Sequence, residues 1–485
     1  MLSLFVLVFS LVPQEAKAQI GVPVCPLNSS VNTILNEINQ DSISKWIRNF
    51  SGADSVLISG TPRIIKTRYS SKLFSSDVNA LAYEYLHQEL LQLSYEQGST
   101  LTDHVYTTPY LQTQSEDSVD IIKNSYLETF TRLDSGLNAH LPFNEPKQVT
   151  TWKNKVVTIP GHGTNSDEII LITAHMDSTS SQPWTLAPGA EDNASGISAL
   201  MEAARLLRLY KFERTIKIIF FTGEEQGLWG SEAYVADHPS EMEHIVGVVN
   251  LDMFGYDNDQ DLCIELHVGT MAASNQVGTC FTEVNNNYNL GLTYDYLTTG
   301  AIRASDHASF WDADVGAIEV LENYEEHDES YGCNGTEDRN PHYHTITDTI
   351  DKMYMPATLA TVQAGVGTTA SLAKPLGKCF ASDPQITASA LTDSILLNWE
   401  DIEDADVYNV FRSKTTCSGS FTRLGQVSST SFEDTNIEFG QDYFYKVEAA
   451  ETGAVCFSQL SNCAQARLEQ SVFYDLYIPL LITGE

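Results

Sequence analysis

Between residues 169 and 252 three short apolar runs recur, and each ends in side chains able to hold a metal ion. Ile169-Ile170-Leu171-Ile172-Thr173-Ala174 leads into His175-Met176-Asp177. Ile216-Lys217-Ile218-Ile219-Phe220-Phe221 leads into Gly223-Glu224-Glu225, and Ile245 to Leu251 leads into Asp252. Runs of this length, rich in β-branched residues, read as buried strands. A helical stretch from Ser195 to Tyr210 follows the first, with Ile197, Leu200, Met201, Ala204 and Leu207 on one face. A second helix, around Ser231 to Ala236, follows the second. Strands alternating with helices require right-handed crossovers and a mostly parallel sheet covered on both faces. In open sheets of this kind ligands bind outside the carboxyl ends of the strands. The three strand ends therefore converge on one edge, joined by Glu191-Asp192-Asn193 from the loop before the first helix.

The remainder of the chain is organised around this unit. Residues 30 to 105 read as mainly helical with a strand or two, and Ala80 to Leu93 has helical apolar spacing. Val105 to Lys147 is polar and irregular and reads as a surface insertion, about 105–148. Further strands are expected at Ile264 to Val268 and Ala317 to Leu321, with a closing helix from about Ala357 to Leu372. After Lys374-Pro375-Leu376-Gly377 the pattern changes to short alternating strands, at Ile395, Leu397 and Trp399, at Tyr408 and Val410, and at Tyr443, Tyr445 and Val447. That alternation predicts a small β-sandwich. The predicted fold class is thus α/β, a mostly parallel sheet with helices on both faces, followed by a small all-β sandwich. The domains follow as 19–376 and 377–470, with a tail at 471–485.

Composition excludes several roles. With 27 basic and 64 acidic residues among 485, the formal charge is −37. Such a surface repels nucleic acid and anionic lipid, so neither is expected as a partner. Leu2 to Val12 is too short an apolar run to span a bilayer, and Ala16-Lys17-Ala18 is a small-x-small cleavage signal. Residues 1–18 therefore read as a signal peptide, though one without a positive charge before the apolar run, and a secreted protein with no membrane span is expected. Export permits disulfides. The eight cysteines divide into Cys25, Cys263, Cys280 and Cys333, then Cys379, Cys417, Cys456 and Cys463, which allows bridges within each part. None forms a CxxC pair, so no cysteine-held zinc is expected.

Each candidate ligand has an ordinary explanation when taken alone. Asp192 or Asn193 could cap the following helix, Glu224 and Glu225 could be solvated loop charges, His175 a core histidine and Asp252 a turn former. Their coincidence at equivalent strand ends favours function. Clustered carboxylates repel one another, and a divalent cation relieves that repulsion. Imidazole and carboxylate without thiolate suit zinc. The number of ligands exceeds the needs of one ion and matches two, about 3.5–4 Å apart.

Six segments carry a resemblance. They are His175-Met176-Asp177-Ser178, Pro188-Gly189-Ala190-Glu191-Asp192-Asn193-Ala194-Ser195-Gly196, Gly223-Glu224-Glu225-Gln226-Gly227, Leu251-Asp252-Met253, Ser305-Asp306-His307-Ala308-Ser309-Phe310 and His344-Thr345-Ile346-Thr347-Asp348-Thr349. In this order they resemble the secreted di-zinc aminopeptidases of the bacterial leucyl aminopeptidase and aminopeptidase Y type, from about residue 30 to 375. The resemblance implies a phosphorylase/hydrolase-like α/β/α domain binding two zinc ions per chain. It gives one metal His175 and Asp252, the other Glu225 and His344, with Asp192 bridging. Asp177 would hold the His175 ring, and Glu224 would be general base and then acid. The same resemblance makes His344 the ligand rather than His342, and assigns the segment around His307 to the pocket wall. Where well-known members carry a carbonyl-polarising tyrosine before the Ser-Asp-His motif, this chain has Ile302. Oxyanion stabilisation then falls to the metal, to Arg303 or to a group not identified from sequence.

The implied activity is removal of N-terminal amino acids from peptides or proteins by a monomeric enzyme. A glutaminyl cyclase-like single-zinc enzyme is one alternative. Those relatives carry a tryptophan-containing insertion after the Glu-Glu pair, whereas Glu225 here runs directly into Gln226-Gly227-Leu228-Trp229. A non-catalytic binding protein on the same fold is the other. The final ninety or so residues resemble a fibronectin type III domain through Trp399, Tyr408-Asn409-Val410, Gly440 and Tyr443-Phe444-Tyr445.

Overall fold

A computed structural model describes residues 25–70, 79–107, 151–325, 332–333, 337–453 and 456–469. The expected signal peptide, nearly all of the expected insertion and the tail lie outside them. The chain opens with helices α1 (Ser29–Glu37) and α2 (Gln40–Phe50), a hairpin of β1 (Val56–Ile58) and β2 (Thr61–Arg63), and α3 (Ala80–Gln92). Then come β3 (Leu101–Thr107), β4 (Thr151–Ile159), β5 (Ile169–His175), α4 (Ala194–Leu207), β6 (Tyr210–Phe212), β7 (Thr215–Phe221), α5 (Trp229–Asp237), α6 (Pro239–Met242) and β8 (Ile245–Leu251). They are followed by β9 (Cys263–His267), α7 (Ala272–Tyr288), β10 (Thr293–Leu297), α8 (His307–Asp312), β11 (Ala317–Glu322), α9 (Met355–Ala373) and β12 (Pro375–Lys378).

Eight of these strands form one sheet in the order β10-β9-β11-β8-β5-β7-β4-β3. Its centre, β11-β8-β5-β7, is parallel as the alternation of elements requires, while β4 joins β7, β3 joins β4 and β9 joins β11 antiparallel. Residues 105–107, expected at the start of an insertion, belong to β3 and pair with Lys153 to Thr151 of β4.

Side chains alternate across the sheet, so each central strand feeds two cores. Ile170, Ile172 and Ala174 of β5 join Ile216, Ile218 and Phe220 of β7 in a core under α4 and α9. Ile169, Leu171, Ile219 and Phe221 face the other way, toward Tyr234 of α5 and Phe310 of α8. Burial on both faces is why these strands are continuously apolar. It also fixes where they end, at the first residues that need polar company, His175, Thr222 and Asp252.

Seven further strands, β13 (Ile386–Ala390), β14 (Ile395–Trp399), β15 (Val407–Ser413), β16 (Thr422–Val427), β17 (Ser431–Asp434), β18 (Asp442–Ala450) and β19 (Ala464–Arg467), form antiparallel sheets in the orders β13-β14-β17 and β16-β15-β18-β19. Ile395, Leu397 and Trp399 meet Tyr408, Val410, Tyr443, Tyr445 and Val447 between them. This sandwich is tied to the α/β unit by pairing of β12 with β6 and by a buried ion pair, Arg208 Nη2 to Glu448 Oε1 at 2.6 Å. Four disulfides join Cys25 to Cys280, Cys263 to Cys333, Cys379 to Cys456 and Cys417 to Cys463, two in each part.

Candidate metal centre

His175, the last residue of β5, is 1% exposed and points Nε2 between two carboxylates. Asp252 Oδ1, just past β8, lies 3.0 Å from it and Asp192 Oδ1 lies 3.1 Å from it. The other oxygen of Asp192 faces a second imidazole, with Oδ2 3.1 Å from His344 Nε2. Glu225 Oε2 is 3.0 Å from that same nitrogen. Two three-residue clusters, His175 with Asp192 and Asp252, and Asp192 with Glu225 and His344, thus share one carboxylate. The His344 side chain is 38% exposed whereas that of Glu225 is 3% exposed, so the centre opens on the His344 side.

Local sequence explains how each group is held. Asn193 caps α4, its Oδ1 accepting from Gly196 N–H at 2.9 Å, which leaves Asp192 to face the imidazoles. Gly189 and Gly223 sit at φ 53° and 77°. A Cβ on Gly223 would come within 2.5 Å of the Trp152 ring, so only glycine permits the turn that presents Glu224 and Glu225. Asp252 Oδ2 accepts from the Ser305 hydroxyl at 2.6 Å. Ser305 in turn accepts from Asn250, whose Oδ1 accepts from Thr173, and this buried relay crosses from β5 to β8.

Asp177 faces His175 Nδ1 with both its backbone and its side chain. Its backbone carbonyl lies 3.1 Å from His175 Nδ1, and its nearest carboxylate oxygen is 3.8 Å away. The carboxylate also accepts from the amides of Glu224 and Glu225, each at 3.3 Å, so it positions the Glu-Glu pair. Glu191 is fully buried and turned from the centre, its carboxylate taking the amides of Gly255 and Tyr256 and the Asn340 side chain.

His307 is also buried, between the Ile302 carbonyl and Glu319, and forms no part of either cluster. Arg303, one of the alternatives for the oxyanion, pairs with Asp312 and lies over Trp311. A different side chain is close by. Tyr343 stacks on His344 at 3.7 Å, and burial, with the field of Asp192, Glu225, Asp252 and Glu224, raises its phenol pKa, so the hydroxyl keeps its proton.

Two further supports hold the centre, Asp348 within the last of the six segments and Arg68 outside them all. Asp348 accepts the amides of Glu191 and Asp192 at 3.0 and 3.1 Å, which fixes the shared carboxylate. Arg68, fully buried, donates to the carbonyls of Phe50, Met176, Pro188 and Gly189 at 2.7–2.9 Å. Burial lowers its pKa to about 10, against the raising pull of Asp348 and Asp192, so it remains a cation beneath the acidic centre.

The electrostatics favour cations. Burial raises Glu224 well above the usual carboxylate range; His175 opposes this, and Asp252, Glu225 and Asp306 add to it. Burial and Asp192 raise Glu225 to about 7, against His344. Burial lowers His344, but its bonds to Asp192 and Glu225 outweigh that and bring it to about 10. His175 is likewise raised, chiefly by Asp252 and Glu224 acting against burial. Glu225 Oε1 is buried without a hydrogen-bond partner among the described residues. A carboxylate oxygen left this way fits a metal ligand, and the imidazole-carboxylate donor set fits zinc.

Residues 154–370, which include every residue of the two clusters, match the model of Peptidase family M28. Aminopeptidase YwaD of Bacillus subtilis is 34% identical over 187 residues, 38% of this chain and 36% of that protein. Leucine aminopeptidase 1 of Arthroderma otae is 31% identical over 230 residues, 45% of this chain and 57% of that protein. The matches to these curated relatives thus span between about a third and three fifths of their length. The solved structure of Legionella pneumophila LapA aminopeptidase has a TM-score of 0.48 and 22% identity, covering 73% of this chain and 77% of that one.

With no cation present the surrounding carboxylates raise both imidazoles above their ordinary pKa, so metal binding competes with protons there. Zinc titrated into the metal-free protein at pH 7.5 is expected to release protons. Affinity should weaken as pH falls. Calorimetry in buffers of different ionisation enthalpy measures the release, and binding without it would show that His175 and His344 do not take the ions.

Proposed function

We propose that this chain is a secreted zinc aminopeptidase that hydrolyses the first peptide bond of substrates with a free N-terminus. The observation that carries the reading is Asp192, whose two oxygens each lie 3.1 Å from a different imidazole. In this reading His175 and Asp252 hold one zinc, Glu225 and His344 hold the other, and Asp192 is shared. Bound there, the two ions would polarise the scissile carbonyl and lower the pKa of the attacking water.

The chain's own residues supply the remaining chemistry. Glu224 takes the proton of the attacking water and delivers it to the departing amine. Its raised pKa suits a group that must hold that proton between the two steps. Tyr343, stacked on His344, donates its hydroxyl to the developing oxyanion. Asp177 holds the amides of Glu224 and Glu225, which keeps base and ligand in fixed relation. The substrate ammonium approaches through the open His344 side toward Asp192 and Glu225. Glu191, being buried, takes no part in receiving it. The C-terminal sandwich, residues 377–470, is a fibronectin type III-like spacer, and every residue assigned to the reaction precedes it. Disulfides in both parts, and no described helix long and apolar enough to cross a membrane, are compatible with export.

Two substitutions separate base from ligand. Glu224→Gln should fold and retain its zinc but lose roughly 10²–10⁴-fold in turnover, the usual worth of a positioned acid/base. Glu225→Gln should lose zinc more readily on dialysis. Exchanged phenotypes, read by turnover and metal content together, would reverse the assignment.

A substrate pair tests exopeptidase action. Leucine anilides should be cleaved, and their N-acetyl derivatives should not, because acetylation removes the ammonium and adds bulk at the closed end. Comparable rates, or internal fragments from a longer peptide by mass spectrometry, would remove the aminopeptidase assignment and leave a zinc hydrolase.

A further inference from the structure

The loop after β8 carries aspartate at every second position, Asp257, Asp259 and Asp261, and Asp338 approaches it from a segment about eighty residues away. Each of the four offers a carboxylate oxygen, and these oxygens all lie within 4.8 Å of one another. We propose that they hold one hard divalent cation, of the calcium type, at a site separate from the zinc centre.

Four carboxylates this close repel one another strongly unless something neutralises them. Asp257, Asp261 and Asp338 form no ion pair with lysine or arginine among the described residues. Backbone amides bond three of them, Gln260 and Leu262 donating to Asp257, Cys263 to Asp261, and Asn258 to Asp338 Oδ1 at 2.9 Å. Asp338 supplies an independent observation. It is 1% exposed, and its second oxygen, Oδ2, is buried with no hydrogen-bond partner among the described residues. An acceptor left in that state is costly unless a cation satisfies it. Burial, then the charges of Asp259, Asp257 and Asp261, raises the Asp338 carboxyl to about 6 against the pull of the Asn258 amide. The donors are all oxygen, with neither imidazole nor thiolate, which suits calcium rather than zinc.

The position gives such an ion a purpose. The loop starts at Asp252, and its Gly255 and Tyr256 amides bind Glu191, the neighbour of the shared Asp192. Asp338 begins the segment in which Asn340 binds the other oxygen of Glu191 and His344 reaches the metal centre. One cation would clamp the two segments that bracket Glu191 and thereby brace the His344 side of the centre.

The test uses the full-length protein treated with a calcium chelator, desalted, and held at saturating zinc. Calcium chloride titrated by calorimetry should bind at one site per chain, with a dissociation constant between about 10⁻⁶ and 10⁻³ M. At saturation it should raise Tm by at least about 2 °C. Asp259→Asn and Asp338→Asn should each weaken calcium binding at least about tenfold, with zinc content unchanged. No heat and no shift in Tm for the unsubstituted protein up to about 10 mM calcium, a concentration that would fill even the weakest sites of this type, would overturn the proposal, whatever the variants do. Undiminished binding in both variants would also overturn it, as would an equal response to magnesium at the same concentration.

Discussion

One carboxylate facing two imidazoles is the constraint on which the rest of the centre depends. Asp192 can do this only if its backbone is immobile, and three contacts hold it. Asp348 takes its amide and that of Glu191, Asn193 starts α4 directly behind it, and Arg68 ties down the carbonyls of Pro188 and Gly189 just ahead of it. Arg68 also binds the carbonyl of Met176, which follows His175, so a single buried guanidinium registers the Asp192 loop against the end of β5. A buried cation with so many carbonyl partners is itself tolerable because the acidic groups around it offset its desolvation.

The sheet makes this arrangement possible. Residues buried on both faces of β5, β7 and β8 lock the three strands in register, so their ends cannot drift relative to one another. Polar chemistry starts where the apolar cover stops. The hydrogen-bond chain from Thr173 through Asn250 and Ser305 to Asp252 shows the transition, polar groups inside the strands being satisfied by one another and finally orienting a ligand. Like charges crowded in this way are stable together only with compensation, which a cation supplies.

The legible part of this protein was its centre. Buried parallel strands must be continuously apolar, so β5, β7 and β8 announce themselves, and side chains that end such strands are brought together by topology alone. That logic reaches His175, Glu224, Glu225 and Asp252. The edges were less legible, since β4 mixes Trp152, Lys153, Asn154 and Lys155, and α7 carries Asn285-Asn286-Asn287 within a helix. Arg68, Ser305 and Asp348 act through contacts with residues 18 to 157 positions away, and neither periodicity nor spacing encodes such pairs. Tyr343 escaped because the expected position for a carbonyl-polarising group was elsewhere, at Ile302. Asp177 faces His175 and its carboxylate also takes the Glu224 and Glu225 amides, while Arg303, one of the alternatives for the oxyanion, pairs with Asp312.

The account stands or falls on Asp192 serving two metal ions. The most direct test is a crystal structure of the zinc-loaded protein with anomalous data collected on both sides of the zinc absorption edge. Two zinc peaks are predicted, one against His175 and Asp252 and the other against Glu225 and His344, each with an oxygen of Asp192 as ligand. A single zinc peak at saturating zinc, or two peaks of which only one contacts Asp192, would contradict it.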